Sequence, residues 1–295
     1  METIRAGDHP VCPQRLPPWF LRRPSENERM RAVKRLMREL HLHTVCQSAG
    51  CPNLPECFDR LIATFLILGD RCTRRCRFCG VSKGIPLPPD PDEPGRVAAA
   101  VRILGLRHVV VTSVTRDDLA DGGADAFAAV TAAVRRECAG TAVEVLVPDF
   151  GGNERSLTHV LGSAVDVLAH NVETVPRLYP EARPGADFNR SLRLLRSARE
   201  AGSGVRIKSG LMLGLGETEN EVGETLRRLA DAGCDMVCMG QYLRPNLSSL
   251  PVAEYIRPER FDRMAAVAKA AGIPVVIAGP QVRSSYHADQ AVACR

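Results

Sequence analysis

The chain has 295 residues, 45% of them hydrophobic, enough for one large α/β domain or two ordinary ones. Its net charge is +5, only four of its 39 basic residues are Lys (Lys34, Lys83, Lys208, Lys269), and 4% of the chain is aromatic, which argues against a base-stacking nucleic-acid surface. Eleven Cys in this length are too sparse for a secreted disulfide scaffold. No leader pattern or run of about twenty apolar residues occurs, so a reducing, soluble, cytoplasmic setting with no membrane partner is expected.

Residues 1–24 are rich in Pro and Arg and are expected to wrap the surface without regular structure. Ser25 to Leu40 reads as a helix: Ser25 is the N-cap, Glu28 completes a capping box, and Met30, Val33, Leu36, Met37 and Leu40 share one face. Basic residues between Arg15 and Arg38, including Arg22, Arg23 and Arg31, suit a partner with an acidic surface. The helix leads to Cys46-Gln-Ser-Ala-Gly-Cys51-Pro-Asn-Leu-Pro-Glu-Cys57, whose thiols are separated by four and then five residues. Pro52 and Pro55 forbid a continuous helix, so a folded-back loop is expected. By itself this spacing divides evenly between a structural metal and an iron–sulfur site.

The apolar run Leu61–Leu68 predicts a buried strand, followed directly by Gly69-Asp-Arg-Cys72-Thr-Arg-Arg-Cys76-Arg-Phe-Cys79. Three thiolates on so short a loop can converge on one soft metal centre, zinc or an iron–sulfur cluster. Zinc would need a fourth ligand from elsewhere. A four-iron cluster on three Cys leaves one iron open to a small molecule, the arrangement of a catalytic cluster. The Cys-x3-Cys-x2-Cys spacing resembles the signature of radical S-adenosylmethionine enzymes, in which the open iron chelates S-adenosylmethionine and an electron cleaves it to methionine and a 5′-deoxyadenosyl radical.

From Leu61 onward strand and helix alternate six times. The expected strands are Leu61–Leu68, His108–Val114, Val143–Val147, Val165–Ala169, Val205–Leu213 and Asp235–Gly240. The expected helices are Pro94–Leu104, Ala124–Glu137, Arg155–Leu161, Phe188–Glu200, Glu219–Ala232 and Pro258–Ala270. Six units predict an α/β fold, a partial (β/α)6 TIM-type barrel, with Val275–Ala278 as a short strand outside the count. Residues 1–60 form an N-terminal extension with the second cysteine group, 61–272 the barrel, and 273–295 a C-terminal extension. Polar groups follow the strand ends: Thr112 to Gly123, Pro148 to Gly152, His170 to Thr174, Gly210 to Thr218 and Gly240 to Pro245. Together they predict a pocket at the C-terminal face of the barrel. The triplet Cys46, Cys51 and Cys57 is one ligand short, and a Ser from the terminal Arg283-Ser284-Ser285-Tyr286 stretch could complete it.

The two cysteine groups in this order, Thr112 to Gly123, Glu144-Val-Leu-Val-Pro-Asp149-Phe, Asn171-Val-Glu-Thr-Val-Pro-Arg-Leu-Tyr179, Lys208 to Thr218 and Arg283-Ser-Ser-Tyr286 together resemble the lipoyl synthase family, from about Pro17 to Ala288. The resemblance implies radical insertion of two sulfur atoms, at carbons 6 and 8, into an octanoyl chain amide-linked to a lysine of a lipoyl carrier domain or glycine-cleavage H protein. It implies two 4Fe-4S clusters and two S-adenosylmethionine molecules per lipoyl group, with flavodoxin or ferredoxin as electron donor. Cys72, Cys76 and Cys79 would hold the cluster that cleaves S-adenosylmethionine. Cys46, Cys51, Cys57 and Ser284 would hold an auxiliary cluster that is consumed as the sulfur source. Asp118, Asn171, Glu173 and Lys208 fall in motifs that line the S-adenosylmethionine pocket.

The chain departs from the family pattern at Phe58, at Leu61-Ile-Ala63 and in the loop Asn246-Leu-Ser-Ser-Leu-Pro251, none of which removes a cluster ligand. Cys12, Cys138, Cys234, Cys238 and Cys294 match no ligand; Cys234 and Cys238 are expected in the core. Two other readings share part of the pattern: a biotin-synthase or methylthiotransferase relative, and a non-catalytic two-cluster electron carrier.

Overall fold

The computed structural model describes residues 16–20, 28–51, 53–59, 63–202 and 204–285. Cys12, Arg22, Arg23, Ser25, Pro52, Leu61, Ile62, Tyr286 and Cys294, all named above, lie outside them. Helix α1 (Glu28–Glu39) buries Met30, Val33 and Met37, the face read from their spacing. It packs on α3 (Leu54–Asp59). Between them β1 (His43–Thr44) leads into α2 (Val45–Ser48), where Thr44 caps the helix by accepting from the Gln47 amide at 3.3 Å. The second cysteine group is therefore two short helices rather than a plain loop. Pro55 stands in the first turn of α3, where its missing N–H costs nothing.

The chain then runs through β2 (Thr64–Ile67), the short pair β3 (Arg71–Cys72) and β4 (Ser82–Lys83), α4 (Glu93–Leu104), β5 (His108–Ser113), α5 (Ala124–Glu137) and β6 (Ala142–Leu146). Helix α6 (Glu154–Gly162), β7 (Val167–Ala169), α7 (Tyr179–Ala182), α8 (Phe188–Glu200) and β8 (Arg206–Leu213) follow. Helix α9 (Glu219–Asp231), β9 (Met236–Gln241), α10 (Pro258–Ala270) and β10 (Val275–Gly279) complete it. The Thr218–Glu221 capping box that starts α9 is formed in both directions, at 2.8 and 3.3 Å.

The main sheet has the order β1-β2-β5-β6-β7-β8-β9-β10, and among the described residues its two ends do not pair with each other. The barrel is therefore open, as six units predict. All neighbours are parallel except β1, which pairs antiparallel with β2. Strand β10 belongs to this sheet as a seventh parallel strand, because Val275 to Gly279 lie in register with Met236 to Gly240.

Register sorts the side chains into two faces. Phe65, Val109, Val111, Val143, Val145, Leu168, Ile207 and Val237 face the helices in the main apolar core. The alternate rows face the barrel interior and carry its polar groups: His108, Thr112, Glu144, Lys208 and Cys238. Val167 and Met236, with Val275 and Ile277, form a separate apolar floor.

Candidate active site

Strand β2 ends at Ile67, and the chain turns into the first cysteine triplet at the C-terminal face of the barrel. Cys72 lies on β3; its sulfur accepts the Thr115 N–H at 3.3 Å and its carbonyl accepts the Gly84 N–H at 3.1 Å. The Cys79 N–H bonds the Cys76 carbonyl at 3.3 Å, closing a tight turn. All three thiols are half-buried. Burial pushes the Cys79 thiol up to about 11, and the neighbouring Cys76, Cys72 and Glu173 add to it. Burial also raises Cys76, against the opposing pull of Arg183.

The second triplet meets the first. A β-carbon on Gly80, the residue after Cys79, would stand 3.3 Å from the Ala49 backbone, between Cys46 and Cys51, and 3.0 Å from Pro245. Gly gives this approach its room, since a side chain there would crowd both neighbours by a few tenths of an ångström. Cys46 is buried and its thiol is raised to about 11, by burial first and then by Cys51. The C-terminal segment closes over this loop: Asn53 Nδ2 donates to the Gln281 carbonyl at 2.7 Å, and Cys51 acts electrostatically on the half-buried Arg283. Gly240 lets the segment cross β9, since a β-carbon there would overlap the Val282 carbonyl. Ser284 Oγ then donates to Asn171 Oδ1 at 3.2 Å. Ser284, expected from the sequence as a ligand for the second triplet, thus touches the motif after β7.

Asn171 Nδ2 in turn donates to Glu173 Oε1 at 3.2 Å. Glu173 adopts a left-handed backbone (φ 67°) and bridges to Leu211 of β8, which turns its carboxylate toward the first triplet. Burial raises its pKa. Arg183 stands beside Cys76 and Glu173 and donates through Nη1 to the Asn171 and Val172 carbonyls at 3.1 and 3.2 Å. Its buried Nε has no hydrogen-bond partner among the described residues, so a donor remains for an anionic group. Sequence reading passed over Arg183, which lies four residues beyond the motif ending at Tyr179.

Two other expected contacts are committed elsewhere. Asp118 is gripped by the buried Arg116 guanidinium at 2.8 and 2.9 Å. Lys208 points into the barrel interior, 2.8 Å from Glu144 Oε1, with His108 Nε2 at 3.2 Å from Glu144 Oε2. His170 is also withdrawn: it is buried, its Nδ1 bonding the Val147 carbonyl and its Nε2 bonding Ser191 Oγ, both at 2.9 Å. Cys234 and Cys238 are both buried as expected, Cys234 in the main core and Cys238 in the barrel interior, its sulfur 4.0 Å from the Ser284 carbonyl.

The sequence also concealed what holds the first loop. Arg74, between Cys72 and Cys76, donates to both Asp117 oxygens at 2.9 and 2.8 Å and to Asp149 Oδ1 at 2.6 Å. Asp149 is buried, with Arg190 on its other oxygen at 3.3 Å and the Gly151 N–H on Oδ1 at 3.1 Å. One guanidinium therefore ties the cysteine loop to the loops after β5 and β6.

A family model described as the Radical SAM superfamily matches residues 66–229. Lipoyl synthase of Methylococcus capsulatus is 53% identical over 294 residues, 99% of this chain and 91% of that one. Lipoyl synthase of Geobacter metallireducens is 56% identical over 253 residues, 86% of this chain and 89% of that one. The chain belongs to the lipoyl synthase family. Among solved structures, methylornithine synthase matches with a TM-score of 0.53 at 16% identity, over 86% of this chain and 79% of that chain, a likeness of fold alone.

For a lipoyl synthase of the radical S-adenosylmethionine class, iron–sulfur clusters and S-adenosylmethionine are the cofactors to accommodate. The donor set fits. Each triplet supplies three sulfurs, and none of the nine described Cys is in a disulfide. Thiols held protonated by burial and by one another are released as ligands by a metal centre's positive charge. Among the described residues no three such side chains converge on a single metal ion; the coupling within the first triplet is electrostatic.

Proposed function

We propose that this lipoyl synthase works as a two-site sulfur-inserting enzyme, with both sites opening into one barrel mouth. The observation that carries the reading is the contact of the two cysteine loops, Gly80 against Ala49, with Ser284 resting on Asn171. A radical formed at one site then has only a short path to a sulfur source at the other.

In this reading Cys72, Cys76 and Cys79 hold a 4Fe-4S cluster whose electron, when it is bound and reduced, cleaves S-adenosylmethionine. Cys46, Cys51, Cys57 and Ser284 hold a second, auxiliary cluster, which is a substrate because its sulfur is consumed. Asn171, Glu173 and Arg183 surround the first triplet and offer an amide, a carboxylate and a guanidinium to the polar ends of S-adenosylmethionine. Asp118 and Lys208 contribute by shaping this seat, through Arg116 and Glu144. Keeping water from this seat matters because so reactive a radical must meet only the C–H bonds at carbons 6 and 8. The acceptor is an octanoyl-lysine on a lipoyl carrier domain or glycine-cleavage H protein, and a flavodoxin or ferredoxin supplies electrons. The barrel, read from the sequence as residues 61–272, takes in β10 as well, and the segments before and after it bring the sulfur source to it. No helix among the described residues is long and apolar enough to cross a membrane; a cytoplasmic location agrees with the reduced thiols this chemistry requires.

The deciding experiment is anaerobic. The protein is reconstituted, its iron and sulfide are counted, and it is mixed with reductant, S-adenosylmethionine and an octanoyl-lysyl peptide. Iron for two four-iron clusters is expected, with a peptide that gains two sulfurs as the dithiol and loses two hydrogens only when that dithiol is afterwards oxidised to the disulfide. Cleavage of S-adenosylmethionine with an unchanged peptide mass would refute sulfur insertion and keep only the radical chemistry.

A further inference from the structure

We infer that Ile85, Leu87 and Leu247 form the docking rim for the carrier protein that bears the octanoyl-lysine; this rests on the reading of the site given above. They are the three most exposed large hydrophobic side chains of the described chain, at 86%, 77% and 88%. Isolated exposed apolar groups are ordinary, but here all three sit on two loops that each brace the first cysteine loop. Ile85 and Leu87 follow β4, which pairs with β3 beside Cys72; the Gly84 N–H bonds the Cys72 carbonyl at 3.1 Å and Lys83 Nζ bonds the Cys79 carbonyl at 3.3 Å. Leu247 lies in the loop after β9, whose Leu250 N–H bonds the Arg77 carbonyl at 2.9 Å and whose Pro245 lies against Gly80. Both loops leave the C-terminal face of the barrel.

Both are also ordered in advance. Pro86, Pro88 and Pro89 restrict the first loop. In the second, Asn246 Oδ1 accepts the Ser248 and Ser249 N–H groups at 3.0 and 3.1 Å, and Arg244 bonds the Leu247 and Ser249 carbonyls. A surface held in place before binding loses little entropy on contact.

The occupant follows from the chemistry. The substrate chain is attached to a protein and reacts inside the mouth, so the body of that protein must cover the rim at every turnover. Exposed Arg71 and Arg75 on the same loop favour a carrier whose apolar contact spot is bordered by acidic groups. This moves the expected docking surface from the basic N-terminal stretch to the mouth itself.

The test compares an octanoylated carrier domain with an octanoyl-lysyl peptide, which carries the reacting chain but no docking body. In the I85D/L247D double variant, KM for the carrier is expected to rise about tenfold, as when interface anchors are lost, with kcat retained. KM and kcat for the peptide should be unchanged. The control Ile103→Asp, on the exposed side of α4 near its C-terminal end, should alter neither substrate. The milder Ile85→Ser should give the same split at smaller amplitude, should the double variant fold poorly. An unchanged carrier KM, or equal losses on peptide and carrier, would overturn the rim; so would self-association through it with carrier kinetics intact. If the wild-type protein thiolates neither substrate, the reading of the site fails, and carrier binding measured by calorimetry still decides: equal affinity of wild type and double variant removes the rim.

Discussion

His170 shows how far a residue's role depends on its neighbours. With Nδ1 donating to the Val147 carbonyl and Nε2 accepting from Ser191, the ring is neutral, and burial, aided by the Arg183 charge, lowers its pKa from 6.5 to about 4. The unfolded chain takes up this proton at higher pH than the folded one, so stability is full above pH 6.5 and declines as pH falls toward 4. The loss reaches about 2 kcal/mol by pH 5. Urea midpoints at pH 7 and pH 5 should separate more for the wild type than for His170→Gln; equal separations would show that this ring does not carry the effect. At Arg74, substitution by Ala leaves the buried Asp149 with the Gly151 N–H and the more distant Arg190, at a cost on the order of 3 kcal/mol. Iron at the first triplet should then be lost while iron at the second is kept, which anaerobic metal analysis and cluster spectroscopy would distinguish.

Strands β5, β6 and β8 meet inside the barrel through His108, Glu144 and Lys208. Lys208 is drawn toward its charged form by Glu144 despite burial, and Glu144 is lowered by Lys208 and His108. A buried pair of this kind contributes little net stability when intact but is costly to break from one side. Lys208→Met should therefore destabilise the barrel by about 3–5 kcal/mol, and adding Glu144→Leu should recover much of it. A double variant no more stable than the single one, in denaturant unfolding, would contradict this account. The C-terminal segment crosses β9 most closely at Gly240. Gly240→Ala should push the Val282 backbone away from β9 and carry Ser284 off Asn171, so the second triplet should lose its iron although the barrel still unfolds cooperatively. Retention of both clusters would show that the crossing does not set the position of Ser284.

For the whole molecule, two sites at one mouth predict separable failures. Cys76→Ala should abolish 5′-deoxyadenosine formation, whereas Cys51→Ala should keep S-adenosylmethionine cleavage and lose sulfur insertion; loss of both products in each variant would merge the two sites. Much of this organisation was legible in the chain itself. The helices Ala124–Glu137, Phe188–Glu200 and Pro258–Ala270 occur at the bounds their apolar periodicity and caps predict, because such signals are local. The cysteine spacings were equally readable, since each group is written within a dozen residues. The added strand β10 was underestimated, as a short apolar run shows its partner only once the sheet exists. What tertiary structure alone decided are contacts between distant residues: Arg74 with Asp149, 75 positions apart; Lys208 with Glu144, 64 apart; Ser284 with Asn171, 113 apart. No periodicity encodes such pairs. They depend on which strand ends the barrel brings together, and that closure determines which polar groups brace the fold and which remain to face a ligand.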